Sequence, residues 1–109
     1  MDDLFEAQVD EMWAADGFFS KLRHLEFDAS SGRKALEYFK AQDISSVDDY
    51  VRFVKRSYHI PLFIRSWETR AVERGADSTE YANLTAAFFD VIHEKIMGFS
   101  LDETGEAAG

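Results

Sequence analysis

Apolar residues recur along this chain mostly three and four positions apart, the repeat of an α-helix with one buried side. Over residues 2 to about 15, Phe5, Val9, Met12 and Trp13 keep that spacing and Leu4 widens the stripe, which predicts a first amphipathic helix. Asp16-Gly17 is a stop, and Phe18-Phe19-Ser20-Lys21-Leu22 opens a shorter helical piece that runs out near Phe27. Asp28-Ala29-Ser30-Ser31-Gly32 reads as a turn whose Asp or Ser caps the next helix, at about 32–42. Leu36, Tyr38, Phe39 and the stem of Lys40 are then available for packing.

Ser45-Ser46-Val47-Asp48-Asp49 is a second capping cluster, with carboxylates at the positive end of the helix dipole. The helix it starts runs through Tyr50, Val51, Phe53, Val54 and Tyr58 to His59-Ile60-Pro61. Pro61 has no N–H and crowds the carbonyl of Ser57, at a cost of about 3 kcal/mol to an unbroken straight helix. The chain must therefore kink there or split into two helices with Pro61 in the first turn of the second. Phe63, Ile64, Trp67 and Ala71 form the next stripe, and Gly75 ends it. Asp77-Ser78-Thr79-Glu80 resembles a capping box. Tyr81, Leu84, Phe88, Val91, Ile92 and Ile96 line one face of the last helix as far as Met97, and Gly98 stops it.

Composition agrees with this pattern. Of 109 residues, 46% are hydrophobic and 15% aromatic, enough to form one core, while a single Pro and six Gly do not suit a many-turned sandwich or barrel. The expectation is an all-α fold, a compact bundle of four to five helices with a Pro kink or break near residue 61. It comprises one domain over 1–100 and a flexible acidic tail over 101–109.

The absence of cysteine removes disulfides, thiolate metal sites and cysteine nucleophiles. Met1-Asp2-Asp3-Leu4-Phe5-Glu6 is acidic where a secretory signal is basic, and no apolar run approaches the roughly 20 residues of a spanning helix. A cytoplasmic protein with no membrane association is expected.

Charge is distributed unevenly. Twelve basic and 21 acidic residues give a net charge of −9, which disfavours nucleic acid as a partner. Residues 1–16 hold Asp2, Asp3, Glu6, Asp10, Glu11 and Asp16 and no Lys or Arg. Between Tyr50 and Gly75 the bias reverses, with Arg52, Lys55, Arg56, Arg65, Arg70 and Arg74 against Glu68 and Glu73. Either the two stretches neutralise one another within the bundle, aided by in-helix pairs such as Arg65 with Glu68 and Arg70 with Glu73, or they remain separate surfaces. In the second case Asp3, Glu6, Asp10 and Glu11 form a docking face for a basic partner.

Catalytic and metal chemistry has little to stand on. His24, His59 and His93 lie in separate segments, and His93-Glu94-Lys95-Ile96-Met97 lacks the second His of a zinc-protease helix. Asp90 and His93, three apart, are the weak candidates for a metal, and no cofactor is called for. Tyr58, His59 and Trp67 around the Pro61 break are the best candidate small-molecule pocket, since a kink opens space. The segment 18–94, with one His before a kinked helix and another on the next, resembles part of the much longer haem-oxygenase-like bundles, and no residue role is carried over from that likeness.

The sequence thus favours a non-enzymatic adaptor, inhibitor or accessory subunit that meets a basic protein surface through its first helix. The alternatives are a ligand-binding or metal-assisted bundle, a nucleic-acid mimic, and self-association as a homodimer through broad apolar faces.

Overall fold

The computed structural model describes residues 1–100, and the expected acidic tail at 101–109 lies outside the described residues. Seven helical segments follow in chain order: α1 (Phe5–Trp13), α2 (Phe18–Arg23), α3 (Ala29–Lys40), α4 (Val47–Ser57), α5 (Ile60–Ser66), α6 (Glu68–Glu73) and α7 (Ser78–Gly98). Only Tyr58-His59 separates α4 from α5, and Trp67 alone separates α5 from α6, so these three make one bent arm. Counted that way the chain is an all-α bundle of five helical units, with no strand among the described residues.

Local chemistry sets most of the boundaries. Asp28, Ser46 and Asp77 cap α3, α4 and α7, each accepting from the backbone N–H three residues on, at 3.2, 3.1 and 2.8 Å. α3 therefore starts at Ala29, earlier than expected, because Ser30 and Ser31 form its first turn instead of a preceding loop. Glu80 does not complete the capping box; its carboxylate lies 3.7 Å from Arg33 on α3. Pro61 occupies the first turn of α5, where a missing N–H costs nothing, so the helix splits. Gly75, with φ +108°, ends α6. α2 stops at Arg23, short of Phe27, because Leu25 takes a left-handed conformation (φ +63°). Its N–H donates to the Leu22 carbonyl, and that of Glu26 donates to Lys21, a Schellman ending without the usual glycine.

The Asp28 cap is also tied by the Ser31 hydroxyl at 2.9 Å and Lys21 Nζ at 3.1 Å. The Ser31 N–H first, then Lys21 and the Ser31 hydroxyl, hold its carboxyl down at about 2. A depressed carboxylate contributes stability that is fully present above its unfolded value of about 3.9 and lost as pH falls through the folded value. Asp28→Ala is expected to cost about 1 kcal/mol at neutral pH. Thermal melts of the variant between pH 5 and 2 should fall less steeply than those of the parent.

α7 is the axis of the bundle and packs mainly against α3 and α5. The core is aromatic: Phe5, Phe18, Phe19, Phe39, Phe53 and Phe88 are completely or almost completely buried, with Leu22, Ile60, Ile64 and Tyr81. α3 and α7 approach closely at Gly32, where a Cβ would lie 2.6 Å from Leu84 Cδ2. The buried Tyr81 hydroxyl donates to the Ile64 carbonyl, tying α7 to α5, and burial raises its pKa. Leu4, expected in the α1 stripe, precedes the helix and is exposed, while Phe5 and Val9 are buried.

Candidate functional site

The first helix and the basic arm meet directly. Arg56 Nη1 lies 2.7 Å from Glu6 Oε2 and its Nη2 lies 2.6 Å from Asp10 Oδ1, while Arg52 Nε is 3.5 Å from Glu6 Oε1. Glu6 with Asp10 and Arg52 with Arg56 are each four residues apart, a step of about 6 Å along both helices, so the two rows come into register. Contact between Phe5 of α1 and Phe53 of α4, ring centroids 6.0 Å apart, sets the approach. This corrects the expectation of an unneutralised docking face, since two of its four carboxylates are bonded to the protein's own arginines. Asp3 and Glu11 are exposed and make no ion pair among the described residues. Asp2 accepts from the Tyr38 hydroxyl at 3.0 Å. The in-helix pairs of Arg65 with Glu68 and Arg70 with Glu73 are not formed, and the Arg70 guanidinium sits 5.3 Å from the Trp67 ring centre.

Because Glu6 and Asp10 remain partly in water, the Arg56 bridge is salt-sensitive. Arg56→Met is expected to lower stability by about 1 kcal/mol at low salt. A double-mutant cycle with Glu6→Gln in urea should return coupling that shrinks in molar salt.

On its inner side the Pro61 break is already filled. His59 stacks on Trp13 from α1, ring centres 5.5 Å apart, and Trp13 also lies 4.5 Å from Phe19 and 4.7 Å from Phe63. Burial first and the charge of Arg56 second lower the His59 pKa, which keeps the ring neutral at pH 7. Trp67 lies against Phe63, 6.3 Å between centres, and Tyr58 points outward, 62% exposed. Tyr58 and His59 are neighbours, but the structure does not gather them with Trp67 around a common cavity. Asp90 and His93 are both exposed, and the His93 ring stacks on Phe89 at 5.4 Å. No group of three His, Asp or Glu among the described residues is placed to hold a metal ion.

An open surface lies on the other side of the break, between the arm and α7. A groove of about 540 Å³ is bounded by Tyr58, Pro61 and Leu62 on one side and by Ala82, Ala86 and Phe89 on the other, with Arg65, Glu68 and Asp90 also in its lining. Leu62 is 69% exposed and Phe89 54%. The arm runs antiparallel to α7, since Tyr50 at its start stacks on Phe99 at 4.6 Å while Ile64 takes the Tyr81 hydroxyl. The apolar strip therefore continues from the groove: Val47 and Val51 share a helix face with Tyr58, and Met97, 70% exposed, shares one with Phe89. A second groove of about 640 Å³ between α3 and α7, lined by Arg33, Asp77 and Glu80 among others, has none of the large exposed apolar side chains. One sequence signal could have found the strip: Phe88 and Phe89 are adjacent and cannot both face one core.

Comparison with family models, with curated proteins and with solved structures finds no match to this chain. Among the described residues no helix is long and apolar enough to cross a membrane.

Proposed function

We propose that this protein works by association, as a small helical adaptor or accessory subunit whose contact surface is the apolar strip along α4, α5 and α7. The observation that carries this is the exposure of Tyr58, Leu62 and Phe89 around a single groove. Apolar surface left in water forgoes about 25 cal/mol for every Å² that could be buried, and contiguous patches of several hundred Å² mark contact sites. Asp3, Glu11 and the net charge of −9 keep such a surface soluble.

A photo-reactive phenylalanine analogue placed at position 62 or 89 in the native host should cross-link to another polypeptide, and the same probe at positions 3 and 11 should not. Cross-links from 3 and 11 alone would restore the first-helix carboxylates as the docking face. Silence at all four positions would overturn association altogether.

A further inference from the structure

The geometry points to a second copy of this chain as the occupant of the strip, an inference that rests on the strip being the contact surface. An isologous contact needs a patch that fits itself after a two-fold rotation. The outer stripe of α7 has that property. It reads Ala82, Ala86, Phe89, His93, Met97, small at one end and large at the other. Turned end over end about a point between Phe89 and Asp90, it sets Ala82 opposite Met97 and Ala86 opposite His93, so that bulk meets space along the seam. Phe89 and its copy lie at the centre, where aromatic anchors contribute most.

The available area fits a dimer. With two aromatic side chains of roughly 200 Å² each and little more than half exposed, and Leu62, Met97, Val47 and Val51 open to a similar degree, the strip offers on the order of 600 Å² per copy. Stable interfaces bury about 800 Å² on each partner, which the intervening alanines and His93 help to supply.

Charge opposes the contact until it is screened: each copy carries −9, and Glu68 and Asp90 line the groove beside Arg65. Of the α1 acids, Glu6 and Asp10 are fastened to Arg56, which projects about 160° around the helical turn from Tyr58. Two copies meeting through Tyr58 and Phe89 therefore carry that pair on the outer sides.

The test is sedimentation of the full chain from about 1 to 100 μM, at about 50 and about 500 mM salt. A monomer–dimer equilibrium that tightens with salt is expected, because screening relieves repulsion between like-charged copies. Leu62→Glu and Phe89→Glu should each raise the dissociation constant about 30-fold or more while leaving the melting temperature of dilute protein unchanged. Since the chain has no cysteine, Ala86→Cys mixed with His93→Cys should form a mixed disulfide on mild oxidation in preference to either self-pair. A monomer at every concentration and salt, dimerisation unaffected by both Glu variants, or absence of the mixed disulfide would overturn the proposal. A cross-link from position 62 to a different polypeptide would also overturn it and leave the apolar contact surface standing, whereas loss of all cross-links from 62 and 89 removes that surface too.

Discussion

Phe88→Ala is expected to destabilise the fold by about 3–5 kcal/mol, the range for deleting a buried phenyl ring. Phe88 has no exposed surface and stands in the middle of α7, with ring centres of Phe18, Phe19 and Phe39 at 6.2, 6.1 and 6.4 Å. Three helical units thus meet on one side chain, and none can collapse into the void without leaving its other contacts. Domains of this size hold about 5–15 kcal/mol in total, so the variant loses roughly a fifth or more of its stability. The melting temperature should drop by roughly 12–30 °C. The neighbouring Phe89→Ala removes the same ring from a half-exposed position and should change dilute-protein stability by less than about 0.5 kcal/mol. Urea titrations of both variants check the contrast. Equal losses would mean that α7 is rotated from the orientation described.

Gly17→Ala is the second large effect, at about 2–3 kcal/mol for one added methyl group. The backbone at Gly17 is ordinary, φ −80° and ψ 161°, so conformation does not demand glycine. Space does: a Cβ there would lie 2.2 Å from the Glu11 carbonyl oxygen, 2.3 Å from that of Met12 and 2.4 Å from the Met12 carbonyl carbon. All three are main-chain atoms that no rotamer change can move, so the end of α1 must shift away from α2. Trp13 sits at that end, and its fluorescence should report the displacement together with the loss of stability. Gly98→Ala meets nothing within 4 Å and serves as the neutral control.

Features fixed by neighbours in the chain were legible in the sequence. Caps at Asp28, Ser46 and Asp77, the split at Pro61 and the stop at Gly75 each depend on one residue's own chemistry and its next few partners. The early end of α2 was hidden because Leu25 performs a glycine's task, held in the left-handed region by the Lys21 and Leu22 carbonyls. Tertiary pairing was less visible. Nothing local says that Arg56 reaches Glu6 and Asp10 rather than Lys55 doing so; that choice is made by the direction in which Phe5 and Phe53 bring α1 onto α4. The inner side of the helix break is filled by Trp13, which comes from far earlier in the chain and so could not be read from the residues around Pro61. The exposed strip was visible in the sequence only as broad apolar faces; which side chains stay outside is decided by how the arm lies on α7.

The arm of α4, α5 and α7's other partner α6 is built of pieces 11, 7 and 6 residues long, against 21 for α7. Isolated helices shorter than about 12 residues are marginal in water, so none of these pieces keeps its shape unaided. Their order comes from being laid side by side on one long template, through Ile60, Ile64 and Ala71. A strip that spans both arm and template therefore exists only while the two stay together, so local melting of the arm would erase it.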